Sequence, residues 1–310
     1  MMKDLTKLVK AGIRYCSDGA YRVIINTACG RYNSLSDEEF LKKYYRAVFH
    51  RELNLDNPET FNEKLQWLKL YNRKPEYTIM VDKYKVRQYV ADTIGEQYLI
   101  PLLGVWDDPE NIDFDALPEQ FVLKCNHNSG LGMCICKDKS KLDIQKVKDE
   151  LKKGLKQNYY LTRREWPYKD VPRKIIAEKY MEDASGDLKD YKFYCFNGEM
   201  KFVMINSDRN TSKPTRADYF DRDFNWLDFT WGYSHAEVHP QKPEQFEKMV
   251  AIAEKLAKGL PHIRVDLYDC NGKIYFGELT FFDGSGFDKI EPEEWEYKIG
   301  NMLELPLKKV

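Results

Sequence analysis

The chain has 310 residues, 43% of them hydrophobic, enough for one large domain or two to three closely packed subdomains. Charged residues make up 32%, but 49 Lys+Arg against 50 Asp+Glu nearly cancel, which argues against a general binder of nucleic acid or another polyanion. With 21 Tyr and 6 Trp it is not a disordered chain, because such chains are poor in aromatic residues.

Met1 to Lys10 is polar and charged with no apolar core behind it, so a signal peptide is not expected. No stretch approaches the ~20 apolar residues that span a bilayer. Both point to the cytoplasm. Leu5 to Ile25 is amphipathic and basic through Lys7, Lys10, Arg14 and Arg22. It reads as a helix packed on its own domain, with loose contact to the inner face of a membrane as the alternative. The 7 cysteines are odd in number and show no framework spacing, which suits free thiols. Cys134 and Cys136, with Cys125 and His127 nearby, lack the two paired motifs usual in structural zinc sites.

The pattern up to about residue 75 is helical. Ser36 and Glu39 form a capping box ahead of Phe40, Tyr44, Ala47 and Val48. Asn57-Pro58-Glu59-Thr60 is a turn before a helix with Phe61, Leu65 and Leu68 on one face. Another helix is predicted over Asp82 to Ile94, ended by Gly95, then a strand within Tyr98 to Trp106. Gln120 to Asn126 and Met133 to Cys136 read as strands around the turn Asn128-Ser-Gly-Leu-Gly132, followed by a helix over Asp143 to Gln157. A β-branched strand follows over Arg173 to Met181, with a polar hinge at Asp183 to Asp187. Tyr191 to Phe196 and Glu199 to Ile205 form a hairpin around Asn197-Gly198. After a helix over Pro243 to Gly259, His262 to Asp269 and Lys273 to Phe281 form a second hairpin around Asn271-Gly272. This is an α/β (α+β) chain with three parts: a helical region 1–75, a first lobe 76–182 and a second lobe 183–310.

The last hairpin carries the most chemistry. Side chains alternate faces along a strand. Ile263, Val265, Leu267, Tyr275, Gly277, Leu279 and Phe281 make the more apolar face, while Arg264, Asp266, Phe276, Glu278 and Thr280 make the other. Asp266 and Glu278 share a face only if an odd number of residues separates the strands, as in a three-residue loop with Gly272 left-handed. Two carboxylates there are costly unless paired with Arg264 or bound to metal. Upstream, Lys124 sits on a strand leading into a glycine turn, where a lysine and backbone amides can hold phosphates. Ile175 to Met181 ends an apolar strand with Glu178, and Asp190-Tyr-Lys192 places a lysine on the next strand; a solvated Glu-Lys pair and a charged strand edge are the competing readings.

In this order the pieces resemble the ATP-grasp superfamily, and within it the TupA-like branch found in bacterial polysaccharide gene clusters. The resemblance rests on Asn57-Pro-Glu-Thr-Phe-Asn-Glu-Lys-Leu-Gln-Trp67, Asp82-Lys-Tyr-Lys-Val-Arg87, Phe121-Val-Leu-Lys-Cys-Asn-His127 and Gly277-Glu-Leu-Thr-Phe281. It implies two β-sheet lobes clasping ATP and Mg²⁺. Lys124 would contact the α/β-phosphates, with Ser129, Gly130 and Gly132 in the loop closing over them. Glu178, Lys179, Tyr180 and Met181 would line the adenine pocket, and Asp190 and Lys192 would face ribose and phosphates. Asp266 and Glu278 would hold Mg²⁺; the superfamily's third ligand is an Asn, here Thr280, which puts a second metal in doubt. Arg264 is the first candidate to hold an acyl phosphate, with Arg209 and Arg216 behind it, and His235 or His239 a base for the amine.

The implied activity is ATP-dependent ligation of a carboxylate to an amine, joining an amino acid or other amine to a uronic-acid-containing surface polysaccharide or its precursor. Two alternatives stand beside it: a glycosyltransferase of capsular polysaccharide synthesis, for which Asp221-Arg-Asp223 has the metal-motif spacing without an apolar strand before it, and a nucleotide-binding scaffold without catalysis. Contact with the polysaccharide assembly machinery and a homodimer are left open.

Overall fold

The computed structural model describes residues 11–183, 188–207 and 214–308; Arg209, and the expected hinge beyond Asp183, lie outside them. The basic N-terminal segment is two helices rather than one. Asp18 ends the helix over 11–17 and caps Gly19–Ala28 by accepting from the Tyr21 amide at 2.9 Å. Helices Asp37–Phe49 and Phe61–Tyr71 start at full capping boxes, Ser36 with Glu39 and Thr60 with Glu63, each hydroxyl contributing about 1 kcal/mol. The helix expected from Asp82 begins only at Val86, because Asp82 Oδ1 accepts from the Tyr84 and Lys85 amides and turns the chain after Glu76–Val81.

Strands β1 (Leu102–Trp106), β2 (Phe121–Cys125), β3 (Met133–Cys136) and β4 (Ile175–Lys179) form an antiparallel sheet in the order β1-β4-β2-β3. One face buries Phe121, Leu123, Cys125, Ile175 and Ala177 against Val147 and Leu151 of helix Ile144–Lys156. The other carries Lys124, Glu178, Met133 and Ile135, and the last two remain 50% and 52% exposed.

A six-stranded sheet has the order β11-β10-β5-β6-β7-β8, with β5 Lys189–Phe196, β6 Glu199–Ser207, β7 Arg216–Asp221, β8 Trp226–Leu227, β10 His262–Cys270 and β11 Lys273–Thr280. Phe193, Val203, Ile205, Val265 and Leu267 form one face and bury helix Phe246–Ala257. The opposite face carries Lys192, Met204, Tyr219, Arg264 and Asp266 and floors a cleft. Helix Phe61–Tyr71 closes one end of that face: the Phe61 ring lies 5.8 Å from Phe196, 5.5 Å from Trp231 and 5.2 Å from His262. Trp231 belongs to β9 (Thr230–Trp231), which pairs with β12 (Ile290–Glu291).

Candidate functional site

Asp266 and Glu278 do share a face, but not through the expected three-residue loop. Cys270 pairs with Lys273, leaving the two-residue turn Asn271-Gly272 with φ of 54° and 79°. The parity is restored by a bulge at Gly277: Leu267 faces Phe276, while Asp266 faces Glu278 and Arg264 faces Thr280. A side chain at Gly277 would bring its Cβ to 3.0 Å from the Asp266 carbonyl and the Tyr268 ring, so glycine is what lets the strands stay together here. The bulge also corrects the face of Phe276, which is buried with the core instead of joining Glu278.

The shared face converges on Arg264. Its Nε donates to Asp266 Oδ1 at 2.7 Å, and one terminal nitrogen donates to Asp266 Oδ2 at 2.8 Å and Glu278 Oε1 at 2.9 Å. The other donates to Asp283, whose second oxygen accepts from the Tyr194 hydroxyl. Four of the five guanidinium hydrogens are thus engaged, leaving one in the cleft that Arg264 lines. Lys192 donates to Asp190 and, at 2.8 Å, to Asp266 Oδ2. Burial opposes the charge on Asp266, yet Arg264 and Lys192 outweigh it and hold its pKa below the usual carboxylate value. Burial likewise works against Lys192, but Asp266 and Asp190 keep its pKa above the ordinary lysine value.

Four carboxylates, Asp190, Asp266, Glu278 and Asp283, therefore meet two cations, and Lys83 approaches Glu278 only to 4.0 Å. The surplus of negative charge and the all-oxygen donor set fit Mg²⁺, which commonly takes one or two carboxylates and completes its shell with phosphates and water. No group of three His, Cys, Asp or Glu side chains arranged to hold a metal occurs among the described residues. The Thr280 hydroxyl donates to Glu278 Oε1 at 3.3 Å, which orients that carboxylate.

The cleft over this face has a volume of about 860 Å³ and is bordered by Ser129 from the four-stranded sheet. The loop bearing Ser129 is anchored at both ends. The Asn128 side-chain Nδ2 donates to Gly154 O and Gln157 Oε1, and Gly132 (φ 70°) packs so tightly on Gly154 that an added Cβ would lie 2.8 Å from its Cα. Only Ser129, Gly130 and Leu131 form the exposed tip, and Gly130 has nothing within 4 Å of its Cβ direction. Glu178 is buried rather than a solvated strand end: Lys124 lies 2.6 Å from one oxygen and Arg87 3.2 Å from the other. At the end of β4 the Lys179 amide donates to Pro101 O at 3.0 Å, and Tyr180 and Met181 continue as half-buried irregular chain.

Four sequence candidates lie elsewhere. His235 and His239 both bind Asp218, at 3.2 and 2.8 Å, and pack on Trp226. Asp218 sits between Ala217 and the cleft-lining Tyr219 and opposes Ile205, so it and its histidines belong to the helix-side face of the sheet. Arg216 is not in a loop but opens β7, on that same side by alternation. Asp221 is the last residue of β7, a strand of mixed charged and apolar residues; its carboxylate caps a turn by accepting from the Asp223 and Asn225 amides and the Asn225 side chain.

Other residues enter unannounced. Lys83 donates to Asn128 O at 2.7 Å while approaching Glu278, and burial together with Lys124 lowers its pKa despite the nearby Glu278 and Glu178 carboxylates. Arg87 and Asp283 are the others. Lys83 and Arg87 stand in the Asp82–Arg87 motif, so that motif was the available signal; nothing in the sequence marked Asp283.

A family described as TupA-like ATPgrasp matches residues 63–304 of the chain. Over 99 residues the chain is 29% identical to a lipoteichoic acid synthase of Staphylococcus saprophyticus, covering 31% of this chain and 14% of that protein. Its fold is similar to a D-alanine–D-alanine ligase from Bacillus anthracis crystallised with ATP (19% identity, 66% of this chain and 54% of that one, TM-score 0.40). It is also similar to the ATP-grasp ligase PsnB crystallised with its minimal precursor, Mg and ADP (13% identity, 82% and 65%, TM-score 0.37). The chain thus spans 14% of the synthase and between half and two thirds of these two ligases.

Proposed function

The chain belongs to the TupA-like ATP-grasp family, and on that premise we propose that it is an ATP-dependent carboxylate–amine ligase working through an acyl phosphate. The observation that carries the reading is the convergence of Arg264, Lys192, Asp266 and Glu278 in one cleft with the loop tip at Ser129. The helical region 1–75 and the lobes 76–182 and 183–310 are its working parts. The open face of the four-stranded sheet takes adenine against Met133 and Ile135, with Glu178, Lys179, Tyr180 and Met181 along its edge. Lys124 and Lys83 neutralise phosphate, Ser129, Gly130 and Gly132 cover it, and Asp190 and Lys192 face the ribose and phosphates. Asp266 and Glu278 would hold Mg²⁺, which supplies charge neutralisation at the phosphoryl oxygens.

An oxygen of the substrate carboxylate attacks the γ-phosphorus and ADP leaves. The free guanidinium hydrogen of Arg264 is placed for the acyl phosphate and for the oxyanion that forms when the amine adds to the carbonyl. Collapse of that adduct expels phosphate and leaves the amide. The acceptor side fits a polar polymer: Thr215, Thr230, Tyr233 and Ser234 offer hydroxyls around it. We assign the carboxylate to a uronic-acid-bearing surface glycan or its precursor and the amine to an amino acid, in the cytoplasm at the inner face of the membrane. Among the described residues no helix is long and apolar enough to cross a membrane.

ATP, Mg²⁺, glucuronate- or galacturonate-containing glycan and an amino acid pool test this. ADP and phosphate release that requires both glycan and amine is the expected result. UDP release from a UDP-sugar would make the protein a transferase, and nucleotide binding without turnover a scaffold.

A further inference from the structure

The nucleophile of the ligation proposed above arrives as an ammonium ion and must lose a proton before its nitrogen can attack. Four carboxylates line the cleft: Glu278, Asp283, Asp288 and Glu291. Glu278 is tied to Arg264 and Thr280, and Asp283 to Arg264, Tyr194 and the Gly284 amide. Glu291 is exposed to solvent. Asp288 differs from all three: it is half-buried, and its carboxylate makes no hydrogen bond or ion pair among the described residues.

Its position is fixed by the chain. Gly284 is left-handed (φ 53°), and a Cβ there would lie 2.2 Å from Asp288 Oδ2, so only glycine admits the carboxylate. Gly284 follows Asp283, which accepts from Arg264. Asp288 therefore lines the same cleft as the guanidinium proposed to hold the acyl phosphate, packed on the residue that follows the Arg264 partner Asp283. Burial raises the Asp288 pKa, Arg163 opposes and Asp283 adds to the rise, which moves this carboxylate toward a proton acceptor's range.

We infer that Asp288 receives the substrate's ammonium group and takes its proton, so the second substrate is a primary amine that is cationic in solution. One N–H⁺ proton passes to the Asp288 carboxylate. The freed lone pair forms the C–N bond while the carbonyl π pair moves onto oxygen. The C–O bond to phosphate then breaks, and the second nitrogen proton leaves with the phosphate.

The inference rests on the ligase reading, and the test separates the two. Hydroxylamine is largely unprotonated at neutral pH and needs no base, so it traps the acyl phosphate as a hydroxamate. With ATP, Mg²⁺ and a glucuronate-containing oligosaccharide, Asp288→Asn should form hydroxamate within about twofold of the wild type. With the amino acid pool in place of hydroxylamine it should form amide about 10²-fold more slowly, recovering about tenfold per pH unit as the amine deprotonates. Amide formation within about twofold of wild type at neutral pH, or equal loss of both products, overturns the role of Asp288. Wild-type protein that forms neither product overturns the ligase reading, and the inference falls with it.

Discussion

Glu278→Gln is expected to lower ATP turnover by about 10²- to 10³-fold, the size of effect seen when one fixed electrostatic contact to a transition state is removed. Lys124→Ala is expected to do the same. On the proposed function the two variants would act on opposite sides of the nucleotide, Glu278 through the metal and Lys124 through the phosphates. Neither should unfold the protein. A glutamine at 278 still offers an oxygen to Arg264, whose other partners Asp266 and Asp283 remain. Loss of Lys124 removes one partner of the buried Glu178 carboxylate but leaves Arg87 on its other oxygen, so a loss of stability of up to about 3 kcal/mol is expected without loss of the fold. Steady-state ADP release with a urea melt of each variant is the check. Wild-type turnover in Glu278→Gln would show that the metal site is misassigned.

Lys69→Met should be the most damaging change to the fold. Lys69 is completely buried, and its ammonium donates to Gln66 Oε1 at 3.0 Å, Arg163 O at 3.0 Å and Ser285 O at 2.7 Å. Three acceptors call for three hydrogens, the charged form. Burial presses its pKa down while the nearby Glu165 carboxylate holds the proton on. Glu165 is buried too, with the Ser285 hydroxyl as its partner, and burial raises its pKa. Removing the lysine leaves the buried Glu165 carboxylate without its nearby cation and the oxygens of Gln66 and Arg163 without a donor, which costs about 3–5 kcal/mol. Adding Glu165→Gln should recover part of that loss in a denaturant titration; a loss below about 1 kcal/mol for Lys69→Met alone would contradict the account. The contact also gives the helical region a place in the site. Lys69 and Gln66 grip the carbonyls of Ser285 and Gly286, and so fix the turn that carries Asp283 to Arg264.

Lys69 shows where the sequence stops being legible. On an amphipathic helix a lysine reads as a solvated face, and the oxygens that receive it include two from distant segments, Arg163 O and Ser285 O, the latter in a turn with Gly284 and Ser285 both left-handed. The capping boxes, the Asn-Gly turns and the alternating strands were readable because their signals are local. Face parity in the last hairpin was half readable. The requirement for an odd spacing was right in kind, but a bulge at Gly277 met it where a longer turn was expected, since strand registers also depend on what packs beneath them. Strand β7 escaped notice because Arg216 to Asp221 shows no regular alternation of apolar and polar residues, and it is held as a strand by β6 on one side and the two-residue β8 on the other. The histidines of 235 and 239 looked catalytic by type, and the side of the sheet that Asp218 takes decides against them.

The central claim, transfer of phosphate to a carboxylate followed by its replacement by an amine, is tested most directly by following oxygen. A glucuronate-containing oligosaccharide with heavy oxygen in its carboxylate is incubated with the protein, ATP, Mg²⁺ and the amino acid pool, and the released phosphate is weighed by mass spectrometry. An acyl phosphate sends one labelled oxygen per turnover into phosphate and keeps the other in the amide. Phosphate released without label would contradict the account, because the carboxylate would then never have bonded to phosphorus.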